Sequence, residues 1–172
     1  RYYLYKSRWM PDTPMVHILP HWNFPDKIGE TIPVFVYSSG DVVELFLNGK
    51  SLGKKEKRPY EYRFRWDSVK YEPGELKAIA YKQNRKWAET YVRTTGKAVG
   101  LKAVPDKHRI KADGEDLVFV TVSLVDEEGC DVPTAENVIS CSLIGDGEIV
   151  ATDNGDPTCL ITFSEPTRPA FN

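Results

Sequence analysis

Charge of one sign, long apolar runs, paired cysteines and enzyme signatures are all missing from this chain of 172 residues. Lys and Arg total 23 against 25 Asp and Glu, a net charge of −2, so overall charge leaves no footprint for nucleic acid. No apolar run approaches the ~20 residues of a membrane-spanning helix. The three cysteines, Cys130, Cys141 and Cys159, form an odd set confined to the second half and contain no C-x-x-C pair. That spacing disfavours a disulfide framework, a redox motif or a zinc knuckle and leaves thiols in or near a core. The chain opens at Arg1 without a methionine or signal-type segment, so export cannot be read from it. Nor is there a G-x-S-x-G elbow, a phosphate-binding Walker loop or an H-E-x-x-H pair. What is present is a 41% hydrophobic fraction with 12% aromatics, enough for real cores.

The most informative stretch is YKSRWMPDTPMVHILPHWNF, residues 5–24. Its start is amphipathic and aromatic, Pro11 and Pro14 stop any helix, and a strand-like run begins at Met15 with no partner before it. The end of one structure therefore runs into the start of another, and the chain is expected to be a fragment. From Met15 onward, short β-type runs alternate with turn residues and period-3.6 patterning is nearly absent. Residues 31–37 and 41–47 read as strands, and Asn48-Gly49 is a type I′ hairpin signal because both tolerate positive φ. The hairpin returns through 51–55. In 60–66, Tyr62, Phe64 and Trp66 alternate with Glu61, Arg63 and Arg65, which predicts aromatics inward and charges in water. With 75–82 and 86–93, this makes seven short strands and predicts an immunoglobulin-like sandwich over residues 14–96.

Thr94 to Lys97 reads as a linker, and the pattern restarts in a second domain over 97–172. Residues 99–104 and 109–112 suggest a split first strand, followed by 117–125 with Val118, Val120, Val122 and Leu124 on one face. Residues 138–143 and 148–152 follow, with Ile139, Cys141 and Leu143 sharing a face and Cys141 a buried small hydrophobe. The signal fades after 159–163. About five strands where a sandwich needs seven predict a truncated domain whose open edges invite dimerisation, strand exchange or disorder. The fold class is thus all-β: two tandem immunoglobulin-like β-sandwich domains, the second lacking its final strands, behind a short helical remnant.

Candidate chemistry is sparse. His17 and His21 have metal-ligand spacing only on a helix; on a strand they stand roughly 13 Å apart, too far for one zinc. Asp153-Asn154-Gly155-Asp156 resembles part of a calcium loop without the later bidentate Glu, and as with 113–116 and 126–131 a solvated turn explains it better. No Asp or Glu pair is singled out for glycosidase work, which requires two carboxyls held ~5 Å apart in the retaining case. No catalytic residue, metal site or cofactor is expected. Aromatics remain: if Ala88, Thr90 and Val92 face the core, Trp87 and Tyr91 point away, and Trp22 and Phe24 lie at a strand end. Such rings stack on sugars, yet burial against a neighbouring domain is the weightier explanation.

LYKSRW followed by PMVHILPHWNF, IPVFVYSSGDVVELFLNGKSLGKK and YEPGELKAIAY resembles the C-terminal part of bacterial glycoside hydrolase family 2 enzymes of the β-galactosidase type. The run from Val99 through DGEIVATDNGDP is similar to that group's next immunoglobulin-like domain, which itself resembles invasin-type modules. VHILPHWNF and ELFLNGKSLG are the more specific pieces. The resemblance implies that residues 1–13 are the tail of a catalytic barrel and that the two catalytic Glu residues precede Arg1. It implies a parent acting on terminal β-galactosides in the periplasm or outside the cell, with this region as a non-catalytic accessory. The partner expected is the barrel of the same polypeptide; exposed strand edges add self-association, and carbohydrate is a further candidate, whereas nucleic acid and membrane are not. A carbohydrate-binding module using Trp22, Trp87 or Tyr91 and an invasin-like adhesion stalk are the alternatives.

Overall fold

Apolar side chains at every second position decide the first half of the molecule. The computed structural model describes residues 1–171, which divide into two compact units, Arg1–Thr94 and a second beginning at Thr95. In the first unit a helix, α1 (Tyr2–Trp9), precedes seven strands: β1 (Val16–Leu19), β2 (Thr31–Ser38), β3 (Val42–Leu47), β4 (Lys50–Glu56), β5 (Phe64–Lys70), β6 (Glu75–Lys82) and β7 (Arg85–Arg93). They form two antiparallel sheets, β1-β2-β5 and β4-β3-β6-β7, the immunoglobulin-like arrangement.

Between the sheets lie Val34 and Val36 of β2, Val43 and Leu45 of β3, and Leu76, Ala78 and Ala80 of β6, all fully buried. The period-2 rule that put them there also puts Glu44, Lys77 and Ile79 on the other face. Asn48-Gly49 turns β3 into β4 with φ of 49° and 81°, as the type I′ signal requires. Pro33, which cannot donate to a ladder, sits where the β2–β5 register shifts between Ile32 and Val34. The edge strand β4 carries a second irregularity, near Gly53 (φ 95°), and bulged, Lys-bearing edges resist pairing with another chain.

One strand of this unit starts later than its pattern predicts. β5 begins at Phe64, with Phe64 and Trp66 buried, but Tyr62 lies outside the strand and is 50% exposed. Pro59 lacks a backbone donor and Tyr60 adopts φ 66°, so the ladder cannot extend through them. A short 3₁₀ turn, Pro25–Lys27, was not signalled by periodicity.

The second unit contains β8 (Gly100–Pro105), β9 (Val120–Val125), β10 (Val138–Ser140) and β11 (Thr167–Pro169), paired antiparallel as β8–β9 and β10–β11. Several expectations change here. Segments 109–112, 148–152 and 159–163 are not strands, and 117–125 and 138–143 are strands only over Val120–Val125 and Val138–Ser140. A strand needs a ladder of bonds along an edge. Segment 148–152 instead has the bonds of Thr152, from its N–H to Phe163 O (2.7 Å) and from its hydroxyl to Glu165 O (2.5 Å). Val118, before the strand, and Val120, its first residue, are both exposed, and Cys141 is half-buried rather than buried. Asn172, the last residue of the expected second domain, lies outside the described residues.

Candidate functional site

The four aromatics nominated by the sequence have unequal surroundings. Trp22 is fully buried, its indole N–H donating to Glu72 O at 3.0 Å and its ring edge-to-face with Tyr71 at 5.0 Å. It presents no face to a sugar. Phe24 packs partly buried on the same core, stacked on His21 at 4.5 Å and against Tyr71 at 5.7 Å. The Tyr71 hydroxyl accepts from the Phe24 N–H (3.2 Å) and lies 3.1 Å from Thr94 Oγ1, which donates to Trp22 O at 2.7 Å. This cluster closes one end of the sandwich.

Trp87 departs from the outward placement its alternation implied. The β6–β7 register jumps from Ala80↔Ala88 to Tyr81↔Lys86, so Trp87 is the extra residue of a bulge, and a bulge re-aims its side chain. Its ring packs on the core cluster and its indole N–H donates to Ser39 Oγ at 2.8 Å. That hydroxyl also donates to Thr13 O (2.6 Å) and accepts from Met15 N–H (3.2 Å), fixing the segment between α1 and β1. Tyr91 alone of the four is outward, 55% exposed with the Arg93 guanidinium 4.6 Å from its ring centroid.

The other candidates are occupied locally. His17 stacks on Tyr3 at 3.5 Å, and burial holds both His17 and His21 below the usual imidazole range. Asp153, Asn154 and Asp156 each accept a backbone N–H two residues on, at 2.8–3.1 Å, the geometry of Asx turns. Asp113 accepts from Glu115 and Asp116. Asp126 accepts from Gly96, Glu128 and Cys130 at 2.9–3.0 Å, and the Gly96 and Cys130 bonds hold its carboxyl below the usual range. Among the described residues no three His, Cys, Asp or Glu side chains are grouped to hold a metal ion.

Sequence reasoning understated the surface of α1. This helix buries Ser7, whose hydroxyl donates to Leu4 O at 2.7 Å, and exposes Tyr2, Tyr5 and Trp9. Spacings of three and four residues place those three rings on one face, with Tyr5 and Trp9 centroids 4.7 Å apart. The heptad-like spacing 2, 5, 9 was visible in the sequence; that the helix would turn its serine inward was not.

The described residues thus form an all-β region of antiparallel sheets, with a two-sheet sandwich in the first unit and no barrel among its elements. Residues 101–172 match the family described as Glycoside hydrolase family 2 C-terminal domain 5, and residues 29–88 match a domain of unknown function, DUF4982. The chain is similar to the β-galactosidase BoGH2A of Bacteroides ovatus, 40% identical over 99% of this chain and 20% of that protein. It is 30% identical to a β-glucuronidase of Formosa agariphila over 84% of this chain and 15% of that protein. A crystallised β-glycosidase from Bacteroides vulgatus superposes with a TM-score of 0.91 at 34% identity, covering 99% of this chain and 22% of that one. The chain belongs to the C-terminal region of glycoside hydrolase family 2. It spans a fifth or less of the length of these curated relatives.

Proposed function

We propose that this chain is a non-catalytic accessory region that supports the catalytic barrel of a family 2 glycoside hydrolase acting on terminal β-galactosides. The observation that carries the reading is the α1 surface: an eight-residue helix that turns Ser7 inward and Tyr2, Tyr5 and Trp9 outward, Trp9 being 76% exposed. A contiguous aromatic stripe on a short helix is poorly compensated by water and is matched by an apolar partner surface. The proposed partner is the barrel of the same polypeptide. The similarity to a β-galactosidase supports the sugar assigned, and a β-glucuronidase among the relatives marks the competing one.

Two measurements test the reading. The 172-residue chain, incubated with chromogenic β-galactoside and β-glucuronide, gives no turnover. Turnover abolished by replacing a carboxylate of this chain overturns the accessory role. In the complete polypeptide, Trp9→Ala lowers the melting temperature of the catalytic part, whereas in the isolated chain it changes unfolding by less than about 0.5 kcal/mol, as expected for an exposed position. An unchanged melting temperature in the complete polypeptide removes the docking role of α1.

A further inference from the structure

The outer edges of β4 and β5, one from each sheet of the first unit, flank a cleft of about 840 Å³ that the accessory reading does not use. Six cationic side chains line it, Lys54, Lys55, Lys57, Arg58, Arg63 and Arg65, against three carboxylates, in a chain whose net charge is −2. Some are neutralised. Lys54 pairs with Glu44 at 3.6 Å and Arg65 with Asp67. Lys57 donates to Ser38 O at 3.1 Å, and burial together with the Arg8 charge holds its amine below the usual lysine range. Among the described residues, Lys55, Arg58 and Arg63 have no carboxylate within ion-pair distance.

Aromatic rings are interleaved with these charges. The Lys55 amine sits 5.4 Å from the Trp66 ring centroid, and the Arg63 guanidinium 4.4 Å from Phe35 and 5.7 Å from Tyr62. Tyr60, at the tip of the β4–β5 loop, is 97% exposed and holds φ 66°, a left-handed conformation uncommon for a large side chain and concentrated at ligand clamps. Lysine as a guard against edge pairing explains Lys54 and Lys55. It does not explain Arg58 and Arg63 lining the cleft from the loop, or the exposed ring of Tyr60 in the same loop.

We infer that the β4–β5 edge cleft binds an acidic polysaccharide, with Lys55, Arg58 and Arg63 pairing its carboxylates or sulfates and Tyr60 stacking on a sugar face. Guanidinium groups fit planar carboxylates bidentately, and a tyrosine ring supplies the apolar surface that a pyranose ring covers. Charge complementarity favours a polyanion, and the exposed ring favours a sugar over a peptide. The assignment takes from the accessory reading only that the region works near glycans.

Native affinity electrophoresis of the 172-residue chain through gels containing polygalacturonate, polyglutamate or neutral galactan tests it. Polygalacturonate is expected to retard the chain and galactan not to; about 0.5 M salt should abolish the retardation by screening. Arg58→Ala and Tyr60→Ala are each expected to weaken binding roughly 5-fold, with tryptophan fluorescence confirming an unchanged fold. Absence of retardation overturns the site. So does retardation that neither variant alters, and equal retardation by polyglutamate with Tyr60→Ala silent would reduce the cleft to a bare charged surface and overturn the sugar assignment. None of these outcomes bears on α1 or on turnover, so the accessory reading stands or falls separately.

Discussion

Replacing Trp22 by phenylalanine separates a structural ring from a sugar platform, and its cost follows from the packing. Trp22 is fully buried between Tyr71 and Phe24 and donates its indole N–H to Glu72 O at 3.0 Å. Phenylalanine keeps an aromatic ring but removes the donor, leaving a carbonyl unsatisfied at about 1–3 kcal/mol. The smaller ring also forfeits the equivalent of roughly two buried methylenes, about 1.5 kcal/mol. Together these amount to about 2.5–4.5 kcal/mol, a large share of the ~5–15 kcal/mol that holds a domain folded. All four tryptophans, Trp9, Trp22, Trp66 and Trp87, and all nine tyrosines precede Thr95, so tryptophan fluorescence reports the first unit alone. With a urea m-value of about 1–1.5 kcal/mol/M, the midpoint should fall by about 2–4 M. Trp22→Ala should cost about 3–5 kcal/mol, and Tyr91→Ala, at an exposed position, under about 0.5 kcal/mol. A midpoint shift below about 0.5 M for Trp22→Phe would refute the packing argued for this end of the sandwich.

The same fluorescence assay reads Ser39→Ala, which removes the hydroxyl shared by Trp87, Thr13 and Met15; a loss of about 1–3 kcal/mol is expected, with faster proteolysis between α1 and β1. Acid should weaken the second unit, because Asp113, Asp116 and Asp126 all have carboxyls held below the usual range by hydrogen bonds. A depressed folded value contributes stability that is present above the unfolded value near ~4 and is lost as pH falls through the folded one. Far-UV circular dichroism should therefore decline on acidification below the unfolded value near ~4, and a signal unchanged down to pH ~2 contradicts the assignment. Asp126→Ala, which strips three backbone N–H groups of their acceptor, should move the dichroism transition towards neutral pH.

The sandwich was legible where local chemistry and tertiary demand agree. Alternation through residues 42–47 and 75–82 and the Asn48-Gly49 turn each predict what forms, because one face of each strand is buried and the period is fixed by the pleat. The aromatics were harder. Trp22 lies between Pro20 and Asn23, where no periodicity operates, and its burial depends on Tyr71 and Thr94, about 50 and 72 residues away in sequence. Trp87 follows a period-2 pattern that one extra residue inverts, and the jump at Ala80/Tyr81 is a property of the pairing, not of either strand by itself. In the second unit, β propensity at 148–152 and 159–163 is real, but propensity without a partner edge does not make a strand. Tyr60, in the loop that borders the cleft, continues the alternation of residues 60–66 in sequence, and nothing in that pattern warns of its left-handed backbone.

The outer face of the four-stranded sheet bears on where a partner docks. Lys77 and Lys86 both contact Glu89 at 2.9 Å, holding its carboxyl at about 2, and Arg93 grips Glu75 through two bonds at 2.8–2.9 Å. These groups are solvated, so the ladder adds little stability and is screened by salt. A partner covering it would have to strip water from several charges at once for little return. The aromatic face of α1 has a lower barrier, since the rings of Tyr2, Tyr5 and Trp9 lose unfavourable hydration on burial and only two hydroxyls and one indole N–H need partners. Docking of the complete polypeptide should therefore tolerate Glu89→Gln, with an unchanged melting temperature, and respond to Trp9→Ala. A catalytic part destabilised by Glu89→Gln and indifferent to Trp9→Ala would move the interface to the charged sheet and reverse the argument.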